Sequence, residues 1–157
     1  VAQLDELINT RLIKLDLKRK DKDAVIEQLA DLLNREHKLS SKAAYVKSVY
    51  EREAVSSTYC GSEVAIPHAM SVAVREPAVC FGRSEGLYWG SPDEPVRFVF
   101  LIAVPSEGCD DRYIAILSAI AQLCLDEEIR DAWAKATTAR EILTSIQGKV
   151  GIAENDH

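Results

Sequence analysis

Glycine and proline are scarce, seven and five in 157 residues, so neither a linker nor a disordered tract dominates the chain. Histidine occurs only at 37, 68 and 157, and no two of these stand at metal-ligand spacing. The four cysteines, at 60, 80, 109 and 124, form no C-x-x-C pair, which argues against a zinc site and a disulfide framework alike. Basic residues are outnumbered, 19 against 25 acidic, for a net charge of −6. The only basic run, K-R-K at 18–20, is followed at once by acidic residues, and a nucleic-acid partner would need a basic face. No apolar run approaches the roughly 20 residues that span a bilayer, and the N-terminus is not a secretion signal. These absences predict a cytoplasmic protein with no nucleic-acid partner, no direct membrane insertion, no metal and no cofactor.

What is present is 47% hydrophobic and 28% charged, enough for one domain with a sizeable core. Residues 1–148 read as that domain and 149–157 as a C-terminal tail ending E-N-D-H. Cys80 and Cys124 fall within apolar patterns and read as core thiols, whereas Cys60 and Cys109 fall in polar, loop-like stretches.

Periodicity supplies the fold class. L-I-K-L-D-L at 12–17 alternates as a half-buried strand does. Asp21 is a candidate N-cap for a helix to about Lys38, with Val25, Ile26, Leu29, Leu32 and Leu33 on one face. A second helix starts at Ser40–Ser41 and runs to about Ala54, with Ala43, Val46, Val49 and Tyr50 inward. E-V-A-I-P-H reads as a short extended segment and 76–82 as a strand. The nearly all-apolar P-V-R-F-V-F-L-I-A-V-P at 95–105 reads as a central strand covered on both faces, with G-S-P-D-E-P as the turn before it. Asp110 or Asp111 caps a third helix carrying Tyr113, Leu117, Ile120 and Cys124. Asp126 and two glutamates open a fourth, and T-A-R-E at 138–141 is a capping box for a fifth. The expected class is α/β: a single mixed β-sheet of about five strands with helices on both faces.

One histidine stands out, in V-A-I-P-H-A-M at 64–70. Pro67 fixes its own φ and biases Ile66 toward extended backbone, so the chain reaches His68 as a stiff segment. A core histidine hydrogen-bonded at a strand end accounts for this as it stands. A second account uses the hydroxyl-rich loop 56–62 just upstream, whose amides can cradle an anion. An imidazole held through one nitrogen presents the other as a nucleophile, and a nearby arginine would stabilise a phosphoryl group on it.

The segment S-T-Y-C-G-S-E-V-A-I-P-H-A resembles the active-site segment of fructose/mannitol-type enzyme IIA domains of the bacterial sugar phosphotransferase system, S-T-x-I-G-x-G-I-A-[IL]-P-H-[GA]. The similarity extends over nearly the whole chain. L-D-L-x-x-K-D-K-D-A-V-I-E-Q-L-A is similar to that family's first strand and helix, V-Y-E-R-E-A-V-S-S-T to its "-L-x-R-E-x-x-x-S-T-" helix end, and L-Y-W with the 95–105 strand to its Trp-containing turn and central strand. The resemblance implies a phosphoryl carrier in which His68 accepts the group from the phosphocarrier protein HPr, or one like it. His68 then passes the group to a cysteine of an enzyme IIB domain during sugar uptake. It also implies that Arg52 orients the phosphoryl group, although an arginine between two glutamates is ordinarily an exposed helix residue.

Two positions depart from the family. Glu63 stands where a glycine is usual, which alters a loop side chain and leaves the I-P-H geometry. The second active-site histidine, in N-E-H-L-x-x-L-x-x-L-A, is matched by D-R-Y-I-A-I-L-S-A-I-A, which puts Tyr113 at its place. Tyr113 reads equally as a core aromatic, and a one-residue shift would substitute Arg112. The missing histidine keeps open an alternative role, a regulatory IIA-like domain of the nitrogen type or part of a transcriptional regulator. In that role, phosphorylation of His68 would control a protein partner.

Overall fold

The computed structural model describes residues 4–18, 21–107 and 110–155. After a short helix α1 (Leu4–Leu7) and a 3-10 turn, the elements are β1 (Ile13–Leu17), α2 (Lys22–Arg35), α3 (Lys42–Val55), β2 (Val64–Ala65), β3 (His68–Ser71), β4 (Ala78–Tyr88), β5 (Pro95–Pro105), α4 (Asp110–Cys124), α5 (Glu127–Lys135) and α6 (Ala139–Asn155).

The caps stand close to where side-chain chemistry put them. Asp21 accepts from the Ala24 amide at 2.8 Å, Ser41 from Ala44 at 3.2 Å and Asp126 from Ile129 at 3.1 Å. Thr138 accepts from Glu141 N at 3.2 Å, while the Glu141 carboxylate turns back to Thr137 N and Oγ1. Helix α2 stops three residues short of Lys38. His37 takes a left-handed φ of 62° there, and Lys38 N donates to Leu33 O at 3.0 Å, the closing bond of a Schellman turn. Helix α6 reaches Asn155, so residues 149–155, read as tail from composition, continue a helix.

The sheet is mixed, with β4 antiparallel to β5, β1 parallel to β4, and β2 and β3 both parallel to β5. The order is β1-β4-β5, with β2 and β3 as successive pieces of the edge strand beyond β5. From Phe98 to Val104 every residue of β5 is buried, as its apolar run requires. Neighbouring residues on β4 show that both faces are covered. Cys80 donates to Leu29 O of α2 on one side, and the Phe81 ring meets Trp133 of α5 on the other, with centroids 5.4 Å apart. Phe81, Phe98, Phe100 and Trp133 form an aromatic cluster on that second face. Each such ring pair contributes about 0.5–1.5 kcal/mol beyond its buried area.

Three expectations shift. β4 runs on to Tyr88 because the polar stretch after Gly82 pairs with β5 through an irregularity between Arg83 and Leu87, where Gly86 takes φ 142°. In α3, Ala43 is exposed and Tyr45 is fully buried, its hydroxyl donating to Ile102 O at 2.7 Å; the inward face is Tyr45, Val46, Val49 and Glu53. On α4, Ile116 joins Ile120 and Cys124 in the core, while Tyr113 and Leu117 are part-buried. Cys80 and Cys124 are buried free thiols and Cys60 is an exposed one; Cys109, Arg19, Lys20 and His157 lie outside the described residues.

Just before β2 the chain makes a left-handed turn. Gly61, Ser62 and Glu63 have φ of 83°, 54° and 65°, and the Glu63 carbonyl accepts from both Arg97 N and Phe98 N. A side chain in this region costs about 1–2 kcal/mol that glycine avoids. The Glu63 carboxylate gains only a part-exposed pair with Arg97 at 3.9 Å in return. Glu63→Gly is therefore expected to stabilise the fold by about 1 kcal/mol. In thermal denaturation that is a rise of roughly 2–4 °C; an unchanged or lower midpoint would contradict the strain.

Candidate functional site

The site begins where the edge strand breaks. Ala65 pairs with Val99 and His68 with Ile102, so the two pieces keep one register along β5 across Ile66 and Pro67. Pro67 has no amide to donate, and an edge strand at an interruption is where such a residue is tolerated. Its carbonyl instead accepts from Ile102 N at 3.0 Å, and Ile66 N turns away to Thr58 O at 3.1 Å. The Ile66 carbonyl is thereby aimed at the imidazole two residues on, 2.7 Å from His68 Nδ1.

A carbonyl only accepts, so this contact places a proton on Nδ1 and leaves the lone pair on Nε2. His68 is 8% exposed. Burial is the main influence holding its pKa below the ordinary 6.5; the Ile66 bond opposes it, Arg52 lowers it further and Glu53 raises it. The neutral ring with a free nitrogen is the form a phosphoryl acceptor needs.

Arg52 stands in the last turn of α3 and donates through Nη1 to Ser56 O at 2.8 Å. Its charge acts on both His68 and Tyr113. Tyr113, near the start of α4, packs its ring against the imidazole, with centroids 5.6 Å apart and planes at 63°. Burial pushes its phenol above the usual 10, so it remains a neutral donor at pH 7. The three residues singled out in the sequence thus come together at one place. The side chain of Arg112, the alternative to Tyr113, lies outside the described residues.

The upstream loop behaves differently from its composition. The amide of Thr58 is turned to Glu53, that of Tyr59 donates to Ser57 Oγ at 3.1 Å and that of Cys60 to Val64 O at 3.0 Å. These three amides are spent inside the protein, so the anion cradle expected of the loop is not made by them. Glu53 was missed. It is 7% exposed, a carboxylate on the apolar side of α3, and its sequence signals were its place four residues after Val49 and its match to the glutamate of the R-E-x-x-x-S-T motif. Among the described residues no group of His, Cys, Asp and Glu is arranged to hold a metal, and no helix is long and apolar enough to cross a membrane.

The family model of the phosphoenolpyruvate-dependent sugar phosphotransferase system, EIIA 2, matches residues 6–149. The chain belongs to that family. This enzyme IIA chain is 36% identical over 146 residues to the fructose-specific EIIABC component of Bacillus subtilis, covering 92% of this chain and 23% of that much longer protein. It is 30% identical to the fructose-specific EIIA component of Haloferax volcanii, covering 93% of this chain and 97% of the other. Among solved structures, the nitrogen regulatory protein IIA-Ntr of Neisseria meningitidis superposes with a TM-score of 0.84 at 28% identity, covering 92% and 99% of the two chains. The IIA mannitol protein of Escherichia coli shares the fold, with a TM-score of 0.76 at 24% identity and coverage of 88% and 98%. The same mannitol enzyme IIA has been solved in complex with phosphorylated enzyme IIB. Enzyme IIA components of the fructose/mannitol type are phosphotransferase relay proteins that pair with an enzyme IIB domain.

The electrostatics of the site give a direct test. His68 should titrate below 6.5 in an imidazole NMR titration, and Arg52→Gln should move its midpoint upward, because a neighbouring cation disfavours the imidazolium. A midpoint at or above 6.5, indifferent to Arg52→Gln, would remove both burial and Arg52 from the site's electrostatics.

Proposed function

We propose that Nε2 of His68 carries the phosphoryl group of this enzyme IIA, taken in the cytoplasm from HPr or an HPr-like phosphocarrier and given to a cysteine of an enzyme IIB domain for uptake of a sugar of the fructose/mannitol class. The observation that carries this reading is the 2.7 Å bond from His68 Nδ1 to Ile66 O, which leaves Nε2 as the available nucleophile. In the accepting step the Nε2 lone pair forms the bond to phosphorus. The bond from phosphorus to the donor breaks, its electron pair staying on the donor, and no proton need leave Nε2. Delivery is the same displacement, with the thiolate of the partner as nucleophile. Phosphoryl transfer asks the protein chiefly for positioning and charge stabilisation. Arg52 supplies the charge, in a planar fork suited to phosphoryl oxygens. Tyr113 supplies a neutral donor beside the ring, in place of a second histidine.

The fructose-specific relatives, at 36% and 30% identity, favour transport over the nitrogen-type regulatory role suggested by the Neisseria protein at 28%. Incubation with phosphoenolpyruvate, enzyme I and HPr should add one acid-labile, alkali-stable phosphate by intact mass, and His68→Ala should abolish it. Equal labelling of the two proteins would reject His68. Chasing the labelled protein with an enzyme IIB separates the roles: discharge onto IIB is expected for transport, and full retention would favour regulation.

The supporting residues should differ in weight. Arg52→Lys is expected to slow transfer by roughly 100-fold, the scale of one lost electrostatic donor at a transition state. Tyr113→Phe should cost only the ~0.5–1.5 kcal/mol of one ordinary hydrogen bond, a slowing of a few-fold. Rapid-quench transfer from phospho-HPr reads both, and a Tyr113→Phe protein with the wild-type rate would return Tyr113 to a packing role.

A further inference from the structure

Glu53 is the carboxylate that this reading leaves without a part. It is buried on α3, next in sequence to Arg52, and its contacts reach three separate pieces of chain. Thr58 donates to it through Oγ1 and, at 3.4 Å, through its amide; Trp89 Nε1 donates at 3.3 Å; and Lys22 Nζ, from the first turn of α2, stands 3.9 Å away. A buried carboxylate is a poor way to stabilise a fold, since desolvation offsets most of what its partners return. An apolar residue there would serve the core as well. The reason for a carboxylate must therefore be sought in what it holds.

What it holds leads to the imidazole. The Thr58 hydroxyl and amide are tied to Glu53; the Thr58 carbonyl accepts from Ile66 N at 3.1 Å; and the Ile66 carbonyl accepts from His68 Nδ1 at 2.7 Å. One continuous hydrogen-bonded line thus runs from α3 to the ring. Arg52, one residue earlier on that helix, fastens the same loop at Ser56 O. Two adjacent side chains of α3 therefore grip the loop at 56 and 58, one able to face the phosphoryl group and the other buried behind it.

We propose that Glu53 is a positioning residue for phosphoryl transfer, fixing the 56–62 loop through Thr58 so that the His68 ring and the Arg52 guanidinium keep one mutual orientation. This rests on the reading of His68 as the phosphoryl acceptor. Glu53 touches neither the donor nor the phosphoryl group, so its removal should lower the rate of the transfer step and leave the half-saturating concentration of phospho-HPr unchanged. A misplacement of about 1 Å costs on the order of 100-fold in rate. Glu53→Gln, which keeps the shape but loses an acceptor, is therefore expected to slow single-turnover transfer by ten- to a hundredfold.

Because Thr58 is the connection, Thr58→Val should slow transfer in the same way, and the double variant should be no slower than the slower single one, as links of one chain require. The imidazole gives a readout that needs no phosphoryl donor. Among the described residues its charged neighbours are Arg52 and Glu53 from α3, with the neutral Tyr113 from α4, and removing the Glu53 charge should lower its titration midpoint. The experiment is rapid-quench transfer from phospho-HPr to wild type, Glu53→Gln, Thr58→Val and the double variant, with unfolding midpoints recorded. If wild type takes no label, or His68→Ala takes as much, the acceptor reading fails. If wild type is labelled on His68 and folded Glu53→Gln transfers at the wild-type rate, or changes only half-saturation, the positioning role is overturned. Should Glu53→Gln fail to fold, Thr58→Val carries the test, and a wild-type rate there overturns the proposal equally.

Discussion

The state of the one imidazole at the site depends on a single hydrogen bond, from His68 Nδ1 to the carbonyl of Ile66. An imidazole has two nitrogens of similar chemistry, and a carbonyl settles which of them keeps its proton. The Ile66 carbonyl is available for it because Ile66 faces away from β5, on the outer side of the edge strand where its own amide meets Thr58 O. Pro67 stiffens the chain between that carbonyl and the ring, and β5 holds the arrangement by pairing on both sides of the gap in unchanged register. The strand that is buried without a break from Phe98 to Val104 thus serves as the ruler against which the imidazole is set.

Stability and chemistry are drawn from different residues. The aromatic cluster of Phe81, Phe98, Phe100 and Trp133 lies on the face covered by α5. The polar groups gather instead at the end of α3 and in the loop that follows, where Arg52, Glu53 and Thr58 meet the edge strand. Such separation lets the loop carry three consecutive left-handed residues without loosening the sheet.

Much of this was legible in the sequence because the signals were strong and local. A nearly all-apolar run between Pro95 and Pro105 is a buried strand, and Asp21 and Asp126 announce their helices through one side-chain oxygen each. His68 was marked by its proline, Arg52 and Tyr113 only by resemblance. What escaped reading depends on distant partners. β4 continues past Gly82 because β5 is beside it, and nothing in R-S-E-G signals that pairing. Ala43 looked inward and Tyr45 did not, since the α3 face is set by Ile102 and by the core carboxylate Glu53 rather than by an apolar stripe. The loop amides looked free because the sequence does not show that Glu53 of the preceding helix, the Ser57 hydroxyl and the Val64 carbonyl will each reach one of them.

The split between β2 and β3 also bears on how the protein behaves in crowded solution. An unbroken outer strand offers a row of alternating donors and acceptors to which any other chain can add. Here that row is interrupted at Ile66, whose amide is engaged by Thr58 O and whose carbonyl by the His68 ring. The segment before the gap is further occupied by the antiparallel bridge of Tyr59 to Ala65. The backbone arrangement that fixes the imidazole of His68 therefore also takes donor and acceptor groups away from a foreign strand at this point of the edge.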